Sequence, residues 1–125
     1  MADDFISDEL RDFILSSIDS ITQLEGLLLL RAEPDERWDA PRVTKRLYTN
    51  ERDVEAALAS LCAHGLLSRE DGVYRYDPRL PRSRRLVDQL AAVYARHLIP
   101  VTNLIHAKER NIRDFANAFR FRKDS

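Results

Sequence analysis

A helical stretch that ends at a glycine and runs into a hairpin pattern constrains this chain more than any other feature. From Asn50 to His64 the apolar residues recur every three or four positions, which is the period of an amphipathic helix. Gly65 follows directly and suits the left-handed conformation that commonly ends a helix. The runs "LLSRE" and "VYRYD" then flank Asp71 and Gly72, a dipeptide typical of a two-residue hairpin turn. The stretch therefore predicts a helix followed by two short antiparallel strands.

Three helical segments are predicted before this stretch. The first is an amphipathic, acidic helix from Ser7 to Ile18. The second begins at Ser20, which forms a capping-box pattern with Gln23, and it contains "LEGLLLL". Because this segment is apolar nearly all round, we expect it to be the central buried helix. The third is short, over residues 40–47, with Asp39 as its N-cap.

A long helical pattern follows a basic linker after the hairpin. The linker contains "RLPRSRR", and the helical pattern then continues with a wide apolar face. We expect Pro100 to kink or break this helix near Ile99, because an interior proline costs a helix about 3 kcal/mol. The predicted fold class is mostly α with a small β-hairpin. Its parts are an N-terminal acidic helix (1–18), a central domain (19–78), a basic linker (79–85), and a C-terminal helix with a basic tail (86–125).

The apolar face of the C-terminal helix is larger than the central domain alone would cover. Each such side chain gains about 1.5–3 kcal/mol when buried, and left exposed the face would favour association. We therefore predict a symmetric homodimer in which the first helix, Ser7 to Ile18, packs onto the long helices. The alternative is a monomer in which the first helix and "FANAF" fold back over the whole face. The predicted dimer contacts are Leu90, Tyr94, Leu98, Val101, Leu104 and Ile105.

The order of these elements resembles a winged helix-turn-helix over residues 19–78. The residues that carry the resemblance are "QLEGLLLLR", "APRVTKRLYT", "NERDVEAALASLCAHGLL" and the hairpin "SREDGVYRY". The junction "HGLL" is similar to that of many small bacterial transcription regulators, and the long C-terminal helix resembles regulators of the PadR type, which dimerise through it. The resemblance implies a cytoplasmic DNA-binding regulator. Its recognition helix, the one predicted from Asn50 to His64, enters the major groove, and the hairpin, or wing, lies along the DNA backbone.

The resemblance also assigns candidate DNA contacts to polar residues around this recognition helix. If Leu58 is the centre of its buried face, Val54, Leu61 and Cys62 also point inward. The opposite face then carries Arg52, which we expect to read a guanine. The full set of candidate contacts is Arg42, Lys45, Arg46, Thr49, Asn50, Arg52, Ser60, Arg75, Arg82, Arg84 and Arg85.

The charge distribution limits any such binding. The net charge is −1, with −8 over residues 1–40 and +6 over residues 81–125. Acids also occupy the first turns of the recognition helix. Two more acids, Glu70 and Asp71, lie at the wing tip. We therefore predict weak DNA binding from a local basic patch, while the two ends neutralise each other within the fold or across a dimer. The alternative function is a non-enzymatic module that docks a protein on the alanine-rich face, unless that face is simply solvated helix.

Catalytic and cofactor patterns are missing from the sequence. Cys62 and His64 lie about 200° apart on a helix, so they cannot share a metal there. No glycine-rich phosphate loop, nucleophile elbow or paired-carboxylate motif occurs. We expect no enzyme activity, catalytic residue, metal or cofactor. The apolar run Leu24 to Leu30 is too short to cross a bilayer, and without a secretion signal we expect a cytoplasmic protein.

Overall fold

Six helices and one two-stranded antiparallel sheet make up the described chain, in keeping with the predicted mostly α class. The computed structural model describes the backbone of residues 6–124 and the side chains of residues 6–111. The elements are α1 (Asp8–Ser17), α2 (Ile21–Ala32), α3 (Ala40–Leu47), α4 (Glu51–Ala63), β1 (Leu67–Glu70), β2 (Val73–Tyr76), α5 (Pro81–Arg96) and α6 (Leu98–Asp124).

The first four helices begin at side-chain caps. In each case the cap oxygen accepts the backbone N–H three residues ahead, which satisfies one of the unpaired donors of the first turn. The capping-box glutamine, Gln23, reaches one residue further back than the usual pattern, since its Oε1 accepts the N–H of Asp19 at 2.8 Å. The caps and their distances are Ser7 to Leu10 (3.1 Å), Ser20 to Gln23 (3.1 Å), Asp39 to Arg42 (2.9 Å) and Asn50 to Asp53 (2.8 Å).

The hairpin follows α4 through two left-handed positions. Gly65 has φ +75°, and the N–H of the next residue, Leu66, donates to the carbonyl of Leu61 at 3.0 Å. At the other turn Asp71 and Gly72 have φ 52° and 77°, which is the pair of positive values that a type I′ hairpin requires. Both turns confirm the sequence prediction.

Trp38 adds a short bridge beside the hairpin. The N–H of Tyr74 on β2 donates to the Trp38 carbonyl at 2.7 Å, in antiparallel sense. The Trp38 side chain is buried, and its Nε1–H donates to the carbonyl of Glu33 at 2.9 Å. Trp38 therefore fixes the segment between α2 and α3 to the wing.

The core is built on α2, the predicted central helix. Its Leu24, Leu27 and Leu30 are fully buried, and α2 packs against α4. The inward face of α4 is Val54, Leu58 and Leu61, as predicted, with Cys62 half-buried at its edge. Within the described residues no single helix is both long and apolar enough to cross a bilayer, and α1 with α2 would qualify only as a pair bent by 107°.

The long C-terminal helix, predicted to kink or break near Ile99 because of Pro100, is divided into two helices. The chain leaves helical geometry at His97, where φ is −133° and ψ is 60°. Pro100 then becomes the third residue of α6. At that position a helix has no intrahelical partner for the N–H, so the missing proton of proline costs little. The prediction placed the break two residues too late, at Ile99 instead of His97, because it treated Pro100 as an interior residue.

The basic linker is also shorter than the predicted 79–85. Helix α5 already starts at Pro81, a residue type favoured in the first turn. Its N-cap is Leu80, which offers no side-chain oxygen to the first turn. The three arginines that follow, Arg82, Arg84 and Arg85, therefore belong to a helix and have fixed directions along it.

Candidate nucleic-acid interface

The outward face of α4 is a stripe of small residues with one cation. Arg52, Ala56, Ala59 and Ala63 are all exposed, which confirms the predicted facing, and Ser60 at the edge is half-buried. The acids of the first turns, Glu51, Asp53 and Glu55, are exposed as well. This face offers little steric obstruction to a partner, but its acids oppose a polyanion.

The turn between α3 and α4 presents the most exposed large hydrophobic side chain of the described residues. Tyr48 is 96% exposed and has left-handed backbone angles, φ 54° and ψ 44°. Lys45 precedes it in the last turn of α3, and Arg52 follows it in the first turn of α4; both are exposed. Among the described residues neither cation has a hydrogen bond, ion pair or ring contact. Sequence reasoning missed Tyr48, because an aromatic residue in a turn carries no pattern of its own.

Arg42 and Arg46, two of the predicted contacts on α3, are engaged within the chain. Their guanidinium groups lie 5.2 Å and 5.5 Å from the ring centre of Trp38. Each also pairs with an acid of the α2–α3 segment, Arg42 with Glu36 at 2.5 Å and Arg46 with Glu33 at 2.9 Å. A buried tryptophan that collects two arginines cannot be read from spacing along the helix. Each of these charges therefore has a carboxylate partner within the chain, while both arginine side chains remain about half exposed.

The arginines at the start of α5 have partners as well. Glu9 in the first turn of α1 lies 3.0 Å from Arg85 and 3.8 Å from Arg82. Arg84 stacks over Tyr76 at 5.4 Å. Arginines oppose the dipole at a helix N-terminus, and one acid from the other end of the chain compensates for these three only in part. The opposite charges of the two ends thus meet here within one chain.

The remaining predicted contacts differ in whether their polar groups are already hydrogen-bonded within the chain. Asn50 is occupied by its capping role, since its Oδ1 accepts the Asp53 N–H and its Nδ2 donates to the Asp53 carboxylate at 2.8 Å. Its side chain is thus largely engaged within the chain, and its assignment as a phosphate ligand stays a prediction. The Ser60 hydroxyl lies 3.5 Å from Nδ1 of His64. The same nitrogen lies 2.8 Å from the backbone carbonyl of Ser60. Thr49 is half-buried, and Arg75 is exposed on β2.

Two clefts flank the outward face of α4. One, of about 410 Å³, lies between α3, α4 and the wing, and Glu55, Ala59 and Arg69 line it. The other, of about 470 Å³, lies between α2, α4 and α6, and its lining includes Asp53 and Glu109. Each cleft therefore carries carboxylates, which disfavours phosphate on both flanks and leaves the α3–α4 turn as the more cationic approach.

The predicted dimer contacts are mostly interior. Leu90, Val101 and Ile105 are fully buried within the single chain, so the prediction that they meet a second copy is wrong for this conformation. Helix α1 packs against both α5 and α6 and covers this face, which both the predicted dimer and the folded-back alternative require. The other segment of that alternative, "FANAF", lies outside the residues whose side chains are described. Tyr94 and Leu104 are partly buried, and Leu98 remains 50% exposed.

Cys62 has the character of a core thiol. Burial raises the pKa of the Cys62 thiol, and nearby Arg69 and Arg79 oppose that shift only in part. The thiol, not the nucleophilic thiolate, is therefore the dominant form at neutral pH. Among the described residues no three His, Cys, Asp or Glu side chains gather as a metal site.

Comparison with protein-family models, with curated proteins and with solved structures found no match.

Proposed function

We propose that this chain is a small winged-helix protein that binds DNA weakly through its α3–α4 turn, in the manner of a cytoplasmic transcription regulator. The order of elements supports this, together with the bridge from Trp38 to the wing. The observation that carries it is the pair Lys45 and Arg52, which are exposed and unpaired among the described residues, whereas Arg42 and Arg46 each pair with a carboxylate and Arg82 and Arg85 share one, Glu9.

Weak binding follows from the small number of available cations. Phosphate contacts supply most of the affinity of a non-specific DNA complex, and each depends on a Lys or Arg that can release a counterion. Beside Lys45 and Arg52, only Arg75 among the predicted cations is exposed without an internal partner in the described part of the chain. The acids at the wing tip, Glu70 and Asp71, repel phosphate. A homodimer belongs to the same proposal, with its contact moved to the exposed Leu98 and Ile99.

The matched experiment removes two positive charges from either set of cations. Binding of a labelled DNA duplex is measured by anisotropy for Lys45→Ala with Arg52→Ala, and for Arg42→Ala with Arg46→Ala. We expect the first double variant to lose about tenfold in affinity near 50 mM salt, and the second to lose less than about twofold while folded. Equal losses from the two pairs would contradict the assignment of the turn as the contact.

A protein-docking module is the second candidate function. The alanine stripe beside the 410 Å³ cleft favours it, because small residues allow another helix to approach closely. The discriminating variant reverses the wing tip, Glu70→Lys with Asp71→Lys. If the wild type binds no DNA near about 50 mM salt and this variant gains binding, the acids exclude DNA and docking becomes the better function.

A further inference from the structure

The fold provides no reason for a tyrosine at position 48. Its left-handed backbone is uncommon for residues other than glycine and costs a large side chain conformational energy. Because the side chain is 96% exposed, no burial compensates for that cost. Asparagine or glycine would suit the turn better, so the aromatic ring points to a role outside the fold.

Two cations lie close to Tyr48 in the sequence. Lys45 lies three residues before it and Arg52 four residues after it, both exposed and both unpaired among the described residues. Proteins that bind single-stranded nucleic acid combine aromatic rings, on which bases stack, with cations that follow the phosphates. Residues 45–52 place one ring between two unpaired cations and contain one exposed carboxylate, Glu51, so the net charge still complements a short strand.

Duplex DNA makes poor use of the same groups. In a duplex the bases are stacked on one another and offer no free face to Tyr48. Binding in the major groove would also carry Glu51, Asp53 and Glu55 of α4 between two phosphate backbones. A single strand that crosses the turn passes only Glu51 and need not run along α4 past Asp53 and Glu55.

We propose that Tyr48 is a stacking platform for an unpaired base, and that Lys45 and Arg52 hold the adjoining phosphates. The chain then prefers single-stranded nucleic acid, or an unpaired segment, to duplex. This inference rests on the proposed function and narrows its ligand class.

The experiment compares two probes with the full chain by fluorescence anisotropy. One is an oligothymidylate of about 20 nucleotides, and the other is a duplex of equal length, both near 50 mM salt. We expect the oligothymidylate to bind about tenfold more tightly or better. A duplex bound equally well or more tightly overturns the inference and leaves the proposed function standing. If neither probe binds, both the inference and the proposed function are contradicted.

Variants at Tyr48 separate stacking from folding. Tyr48→Asn suits the left-handed turn, so its thermal midpoint should equal or exceed that of the wild type. We expect it to lose about fivefold or more in affinity for oligothymidylate and less than about twofold for duplex, while Tyr48→Phe keeps the wild-type affinity. Tyr48→Gly serves the same purpose if the asparagine variant fails to fold. Unchanged oligothymidylate binding in a folded variant overturns the inference.

Two controls test the nature of the ligand. Arg96→Ala removes an exposed cation at the far end of α5 and should leave oligothymidylate binding unchanged. Polyglutamate of equal charge is added as a competitor, because an acidic protein segment would also be attracted to Lys45 and Arg52. If polyglutamate displaces the oligothymidylate as effectively as unlabelled strand does, the turn recognises acidic chains and the inference is overturned.

Discussion

Leu58 sits at the centre of the buried stripe of α4 and has no exposed surface. Leu58→Ala removes buried methyl groups and leaves a cavity, so we expect the free energy of unfolding to fall by about 2–5 kcal/mol. Arg52→Ala on the opposite face is the matched control and should change it by less than about 0.5 kcal/mol. Chemical denaturation measures both. A loss below about 1 kcal/mol for Leu58→Ala would contradict the packing of α4 against α2.

At the residue scale, local signals predicted more than long-range ones did. The caps at Ser20 and Asp39 and the left-handed Gly65 depend on a few neighbouring residues, and all three were readable from sequence. The partners of Arg42 and Arg46 were not, because they depend on where Trp38 is buried. The candidate site was therefore predicted with too many cations and without Tyr48.

Helix α6 is attached to the α1–α2 corner through Lys108. Its Nζ bonds to the Asp19 carboxylate at 2.6 Å and to the Ile18 carbonyl at 3.2 Å. The hydrogen bond from Lys108 is the largest influence on the Asp19 carboxyl and holds its pKa below its ordinary value, against the opposing effect of burial. Ionised Asp19 therefore stabilises the folded state above its ordinary pKa, and this contribution disappears as the pH falls through the lowered one.

Asp19→Asn measures that attachment. Because the Asp19 side chain is 45% exposed, we expect a modest loss of stability near neutral pH, about 0.5–1 kcal/mol. The difference from the wild type should shrink as the pH is lowered below about 4, since the wild-type carboxyl then becomes protonated. Denaturation of both proteins across this range is the measurement, and a difference that does not change with pH would contradict the ion pair.

The sequence predicted which helices and strands exist better than it predicted where they begin and end. The strands and helices α2 to α4 were expected from period and turn residues, and the structure contains them. The end of α5 at His97 has no glycine or proline to mark it, and Pro100 suggested a later break. Proline restricts a helix interior but is tolerated in a first turn, so its position alone does not locate the break.

For the whole molecule, the question is what the C-terminal helices contact. The periodicity of α5 and α6 predicted an apolar face, but no pattern on one helix states whether α1 or a second chain covers it. Since α1 covers much of it, we expect a homodimer to use Leu98 and Ile99. Leu98→Ser with Ile99→Ser should reduce the sedimenting mass to one chain at micromolar concentration, while Leu90→Ala should lower stability instead. A monomeric wild type would contradict the dimer.

The most direct test of DNA contact by the α3–α4 turn is the salt dependence of duplex binding by the wild type. Each phosphate neutralised contributes about −0.9 to the slope of log affinity against log salt. The eight cations predicted from sequence would together give a slope of about −7, whereas the three without internal partners, Lys45, Arg52 and Arg75, would give about −2 to −3. We expect the shallower slope. A slope of about −5 or steeper, or no binding near 50 mM salt, would contradict it.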